Sequence, residues 1–281
     1  MSVVLITGCS TGIGRELARV CAEAGDRVFA TMRNPAKAGD LEALDGVTIL
    51  ALDVTDEESV AKTVDEVIRS AGRIDVLINN AGIDTLGAVE DVSFDRIRAI
   101  METNFFGALR LTRAALPAMR AQKAGTIVMV TSLATIFAGY GEGAYAASKR
   151  ALEGASETLQ KEVARWGIRV QVIRPGYVVS SIGTTLPPGS ASPPDSPYHD
   201  LIRLYGEQDI AGIAGGEPAL DVAREIREAY TGGNDDFYVS VTKMGRQLTP
   251  WRKEQDDRKF LEVVDEGFEW WSKGDETPPG K

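Results

Sequence analysis

Tyr145 and Lys149 stand four residues apart in Tyr145-Ala-Ala-Ser-Lys149. On a helix that spacing puts them on one face, a turn from each other. The residues around them, from Ala144 to Glu153, are mostly strong helix formers. A free phenol titrates at about 10 and is a poor base at neutral pH. A neighbouring ammonium favours the phenolate and is expected to lower that value. The pair could then serve as a general acid/base near neutrality. Alone, such a pair more often marks two residues sharing a helix face, so its meaning rests on the rest of the chain.

Composition narrows the classes. A chain of 281 residues that is 43% hydrophobic can bury one large α/β core. The net charge of −10 comes without a basic stripe, which argues against nucleic acid and anionic membrane as partners. Met1 leads directly into an apolar strand with no basic leader. No apolar run approaches the roughly 20 residues of a membrane span. Cys9 and Cys21 would lie about 18 Å apart along a helix between them, too far for a disulfide. A reducing, cytoplasmic setting is expected.

The elements that must position Tyr145 and Lys149 alternate between strand and helix. Val3-Val4-Leu5-Ile6 reads as a strand buried on both faces. Thr7-Gly8-Cys9-Ser10-Thr11-Gly12-Ile13-Gly14 follows it, and an amphipathic helix follows the turn. Glycines let a backbone approach a pyrophosphate, and the helix start offers free N–H groups. Further strands are expected at Arg27–Thr31, Val47–Leu52, Asp75–Ile78, Thr126–Thr131, Arg169–Ile173 and Phe237–Val241. Helices are expected at Ser59–Ala71, from Ser93 to Ala121 with a break near Pro117, from Tyr145 to about Trp166, and at Ala219–Tyr230. This alternation predicts a Rossmann-type, doubly wound parallel α/β sheet of about seven strands in a single domain. The domain is expected over residues 1–250, with a substrate lid at about 181–216.

Five of the twelve prolines crowd into Ser181–Pro197, which favours a functional lid over a regular element. His199, the only histidine, reads as a surface residue, and no metal site is predicted. Residues 251–281 are expected to form a C-terminal helical extension holding three of the four tryptophans. Phe260, Val264 and Trp271 would share one face, which must pack on the body or on a partner subunit.

Together these motifs resemble the short-chain dehydrogenase/reductase family over nearly all of Val3 to Val241. The matches are Thr7-Gly8-x3-Gly12-Ile13-Gly14, Asn79-Asn80-Ala81-Gly82, Asn104, Ser132, Tyr145 with Lys149, and Pro175-Gly176. Thr7-Gly8-Cys9-Ser10 and Val28–Arg33 look like the branch that includes 17-beta-hydroxysteroid and retinol dehydrogenases. The resemblance implies interconversion of an apolar alcohol with its ketone or aldehyde. Tyr145 would be the acid/base, Ser132 would bind the substrate oxygen, and Lys149 would hold the nicotinamide ribose. Asn104 would hold a water linking Lys149 to solvent. Gly8, Ser10, Thr11, Gly12, Ile13 and Gly14 would cradle the cofactor. Asp53 and the Val54 backbone would meet the adenine, with Asn80, Ala81 and Gly82 along its ribose. Pro175, Gly176, Val178 and Ser180 would line the nicotinamide, Ser180 standing where the family usually has threonine. A small-molecule substrate and a homodimer or homotetramer are implied.

The second strand ends in Thr31-Met32-Arg33-Asn34 with no carboxylate before Asp40. A carboxylate there would bind the ribose hydroxyls of NAD. Arg33 instead offers donors to a phosphate, so NADP(H) is expected in preference, with NAD(H) the alternative. A catalytically idle dinucleotide-binding sensor is the competing class, and an epimerase or dehydratase on a nucleotide-sugar is a third.

Overall fold

The structure is a computed structural model that describes residues 1–179, 192–233 and 235–262. Its elements run β1 (Val3–Thr7), α1 (Gly12–Glu23), β2 (Arg27–Met32), β3 (Val47–Ala51), α2 (Glu57–Ala71) and β4 (Val76–Asn79). They continue with α3 (Phe94–Met101), α4 (Ala108–Gln122), β5 (Gly125–Val130), α5 (Gly143–Val163) and β6 (Ile168–Arg174). The last are β7 (Val178–Val179), α6 (His199–Ala214), β8 (Glu217–Pro218), α7 (Ala219–Thr231), β9 (Tyr238–Ser240) and α8 (Lys243–Glu254).

Seven strands form one parallel sheet in the order β3-β2-β1-β4-β5-β6-β9. The order reverses between β1 and β4, where Val4 faces both Val28 and Val76. That reversal opens a crevice at the strands' C-terminal ends, where open α/β sheets bind ligands. The sheet is a core layer covered on both faces, and the strands' two-residue period divides it. Val4, Ile6, Val128 and Val130 pack with Leu17, Cys21, Val222 and Ile226 of α1 and α7. Val3, Leu5, Ile127 and Met129 pack with Val64, Leu111, Met119 and Leu152 of α2, α4 and α5. Cys9 and Cys21 are free, buried thiols.

Three features differ from the sequence reading. The long helical region is not broken at Pro117, which lies inside α4; its missing N–H removes one ladder bond without ending the helix. The break comes earlier, as a widened π turn over Glu102–Gly107 that carries Asn104. Within the expected lid range, residues 199–214 form the regular helix α6, and residues 181–191 lie outside the described residues. A two-stranded pairing of β7 with β8 ties the base of this region to the start of α7.

His199 opens α6, its Nδ1 2.9 Å from the Ser192 carbonyl. Beneath α6 a small apolar cluster of Leu86, Ala88 and Ile202 gathers Tyr140, Tyr198 and Tyr205. After α8, Phe260 packs edge-on against Phe137, with ring centroids 5.7 Å apart. Val264 and Trp271 lie outside the described residues.

Candidate active site

The glycine turn leaves β1 at the switch point. Gly8 and Gly12 have φ of 75° and 58°, which only glycine adopts without strain. Gly14 has a different reason. A Cβ there would stand 2.4 Å from Asn80 Nδ2 and 2.5 Å from the Gly8 carbonyl oxygen. Thr7 joins the two sides of the crevice: its hydroxyl accepts from the Asn80 and Ala81 N–H groups at 2.9 Å each. Asn80 Nδ2 donates back to the Thr7 carbonyl at 2.9 Å. The start of α1 therefore opens on a cradle with no acidic residue in its first turn. A pyrophosphate fits such a site.

The candidate acid/base residues converge from four elements. Ser132 caps a short 3-10 turn after β5, its Oγ accepting from the Ala134 N–H at 3.1 Å. Its side chain hydrogen-bonds the Tyr145 phenol. Tyr145 and Lys149 sit one turn apart on α5, with Lys149 Nζ 5.8 Å from the Tyr145 ring centroid. Lys149 is buried and donates to the Val130 carbonyl at 3.0 Å. Gly82 completes the set, because a Cβ on it would lie 3.4 Å from both Lys149 Nζ and Asn104 Oδ1.

Asn104 reaches this point because the π turn swings it inward; it is 1% exposed. π turns recur at functional sites for this reason. Its Oδ1 accepts from the Ile83 N–H at 2.8 Å. Its Nδ2 donates to the Ile83 carbonyl at 2.9 Å and lies 3.0 Å from Ser148 Oγ. The side-chain amide is thus committed to protein partners and clamps the turn after β4.

The electrostatics correct one expectation. Burial raises the Tyr145 phenol well above its ordinary value, and the charge of Asp84 adds to this; only the Ser132 hydrogen bond opposes them among the larger influences. Burial also pushes the Lys149 ammonium down to about 8, against the pull of Asp84 and Glu153. Desolvation outweighs the attraction on which a lowered phenol would depend.

No spacing in the chain marks the acidic and phenolic group around Tyr145. Burial raises Asp84 to about 6 and Glu142 to about 7. Burial raises Asp209 of α6 as well, against a hydrogen bond with Tyr177. Tyr177 in turn hydrogen-bonds Tyr205, whose hydroxyl lies 3.4 Å from Glu142 Oε2. These residues are far apart in sequence and meet only because α6 folds over the site.

On the cofactor side, Asp53 Oδ1 accepts from the Thr55 N–H at 2.9 Å and its hydroxyl at 2.7 Å. The Val54 carbonyl accepts from Arg110 at 2.7 Å. Ile13 is half-buried beside the cradle, with Ser10 and Thr11 at its outer rim. Arg33 is exposed at the end of β2. Arg15 was not singled out from sequence, yet its guanidinium reaches Asp40 and lies 3.4 Å from the Ser10 carbonyl. Hydrogen bonds from Arg19 and Arg15 hold Asp40 down at about 2. The Pro175 carbonyl accepts from Leu133 N at 2.9 Å, and Gly176 N donates to Thr242 Oγ1 at 3.2 Å. Val178 is buried in β7. Ser180 lies outside the described residues.

A strand, glycine cradle and helix at a switch point, with Ser, Tyr, Lys and Asn converging beside it, mark a dinucleotide-binding type of fold with a candidate acid/base site. Residues 2–190 match the family described as short chain dehydrogenase, and the chain belongs to that family. It is an NAD(P)-dependent oxidoreductase. Retinol dehydrogenase 8 of Bos taurus is 36% identical over 240 residues, 79% of this chain and 76% of that protein. The 3-ketodihydrosphingosine reductase of Bacteroides thetaiotaomicron is 39% identical over 174 residues, 62% of this chain and 63% of that protein. A short-chain dehydrogenase from Streptomyces avermitilis superposes with a TM-score of 0.81 at 32% identity, covering 97% of this chain and 98% of that one. One from Burkholderia cenocepacia, solved in complex with NADP, gives 0.73 at 26% identity, covering 93% and 96%. No helix among the described residues is long and apolar enough to cross a membrane.

Proposed function

We propose that this protein is an NADP(H)-dependent oxidoreductase that interconverts an apolar alcohol and its ketone or aldehyde, with Tyr145 as general acid/base. The observation that carries this is the convergence on Gly82 of Lys149 and Asn104, one helical turn from a Tyr145 bonded to Ser132. In the reducing direction the carbonyl oxygen receives the phenol proton of Tyr145 while Ser132 hydrogen-bonds it. A phenol whose pKa burial raises keeps its proton until an oxyanion develops beside it. Lys149 holds the ribose and Asn104 braces the turn around Gly82. When bound, the nicotinamide supplies or takes up the hydride.

The glycine cradle with the start of α1 would hold the pyrophosphate, and Asp53 and Val54 the adenine. The preference for NADP(H) rests on Arg33, exposed at the end of β2 with no carboxylate between it and Asp40 along the chain; the nearby Asp53 carboxylate feels its charge from across the cofactor side. Asp40 is taken up by Arg15 and Arg19. An apolar substrate is supported by the cluster beneath α6 and by relatives named for retinol and 3-ketodihydrosphingosine. α6 is the described part of a substrate lid placed at residues 181–216, of which 181–191 lie outside the described residues, and a homo-oligomer would pair through the region of α3 to α5.

The test is oxidation of NADPH and of NADH with retinaldehyde, a steroid ketone and 3-ketodihydrosphingosine, for wild type, Tyr145→Phe and Arg33→Asp. Tyr145→Phe should lose more than about nine-tenths of kcat/KM, at least about 1.4 kcal/mol of barrier stabilisation, while NADPH affinity holds. Arg33→Asp should invert the cofactor preference. A wild type that favours NADH refutes the phosphate role, and tight cofactor binding with no turnover on any carbonyl favours the sensor reading.

A further inference from the structure

Behind the candidate acid/base pair lies a second charged pair that the reaction itself does not use. Glu153 stands one turn beyond Lys149 on α5, on the face that carries Tyr145 and Lys149. It is 7% exposed, as is Arg174 at the end of β6. The two form a bidentate bond, with Nε to Oε1 at 2.8 Å and Nη2 to Oε2 at 2.7 Å. The Thr131 hydroxyl lies 3.0 Å from Glu153 Oε1, and the next residue is Ser132. The Arg174 guanidinium sits 3.8 Å from the Tyr238 ring centroid. With Lys149 held by the Val130 carbonyl, Val130, Thr131 and Ser132 are fixed together with Lys149, Glu153 and Arg174. A buried ion pair stabilises a fold little compared with apolar residues of the same volume. Its place behind the reacting groups therefore calls for another reason.

We propose that Glu153 and Arg174 are positioning residues: through Thr131 they fix Ser132, and the Glu153 carboxylate helps keep Lys149 an ammonium. This rests on the roles given above to Tyr145 and Lys149. The groups facing Lys149 are Asp84 from the turn after β4, Tyr145 and Glu153 from α5, and Arg174 behind Glu153. Burial holds Lys149 at about 8, and Asp84 and Glu153 oppose that fall. Neutralising Glu153 alone leaves an unbalanced guanidinium and pushes Lys149 lower. Neutralising Arg174 alone leaves an unbalanced carboxylate and pushes it higher. Loss of packing alone would move Lys149 the same way in both variants, so shifts of opposite sign show that the charges themselves act on it.

The test reads NADPH affinity against pH by the fluorescence of the bound nicotinamide, since Lys149 contacts the ribose on this reading. Wild type should lose affinity as pH rises through about 8, and Lys149→Met should lack that step. Glu153→Gln should move the step down by on the order of one pH unit, and Arg174→Met should move it up. The double variant, a neutral pair, should return it close to wild type. If Arg174→Met does not fold, Glu153→Gln against the double variant carries the same comparison. A step that persists in Lys149→Met refutes the role of Lys149 itself. A step absent from Lys149→Met but unmoved by the Glu153 and Arg174 variants, or moved the same way by both, overturns the inference and leaves that role standing.

Discussion

Glu142 lies where α6 meets the start of α5, and replacing it by glutamine removes a carboxyl that burial holds protonated. Its Oε2 accepts from the Gly139 N–H at 2.5 Å and lies 3.4 Å from the Tyr205 hydroxyl. Burial raises its pKa from 4.5 to about 7; the Gly139 bond opposes this, and the charges of Asp209 and Asp84 add to it. The folded pKa is above the unfolded one, so the native state keeps a proton that the unfolded chain has lost. Stability is therefore fully present below about 4.5 and is lost as pH rises through about 7. At about 1.4 kcal/mol per pH unit the gap between the two values amounts to about 3 kcal/mol. Glu142→Gln keeps an acceptor for Gly139 and cannot ionise. It should match wild type near pH 4.5 and exceed it by up to about 3 kcal/mol above pH 7, roughly 6 °C in Tm. Asp84, raised to about 6 mainly by burial, gives a slope of the same sign in both proteins at lower pH. The assay is thermal unfolding by circular dichroism from pH 4.5 to 8.5. Parallel curves with a constant offset would refute the reasoning, because a lost contact costs the same at every pH.

Other substitutions probe the rest of the site. Gly14→Ala should abolish cofactor binding, since its Cβ would displace Asn80 or the Gly8 carbonyl; unchanged affinity by calorimetry would rule out the cradle. Ser132→Ala should lower kcat/KM by about 100-fold, of the order seen when one oxyanion donor is removed, with cofactor affinity unchanged; retained turnover would remove Ser132 from the assignment. Asn104→Ala should weaken NADPH binding by freeing the backbone of Ile83, and hydrogen exchange at the Ile83 amide should rise. Light scattering at micromolar concentration should show a homodimer or homotetramer that covers Phe94 and Phe106, which are 74% and 46% exposed; a monomer would refute the assembly while leaving the enzyme reading intact.

What could be read from the sequence is what depends on local spacing. The buried run of β1, the glycine turn and the Tyr145–Lys149 spacing each carry their meaning within a few residues, and together they led to a doubly wound parallel sheet; its strand order emerged only from the fold. Pro117 misled because proline's local penalty was weighed without the packing of α4. The π turn at Asn104 leaves no local mark: its extra residue is set by contact, with Gly107 so close to Val54 that a Cβ would stand 2.7 Å from Cγ2. The phenol's pKa misled in the same way. Lys149 is audible in the sequence as a nearby charge, but the loss of water around both groups is a property of the folded pocket. The same holds for Glu142, Asp209, Tyr177 and Tyr205, which meet one another across tens of residues. Spacing therefore identifies which groups can react, while the dielectric that decides their protonation is assembled by α6, the element least marked in the sequence. The chemistry of this site should accordingly follow substitutions in α6 and at Glu142 as closely as those at the helix carrying Tyr145.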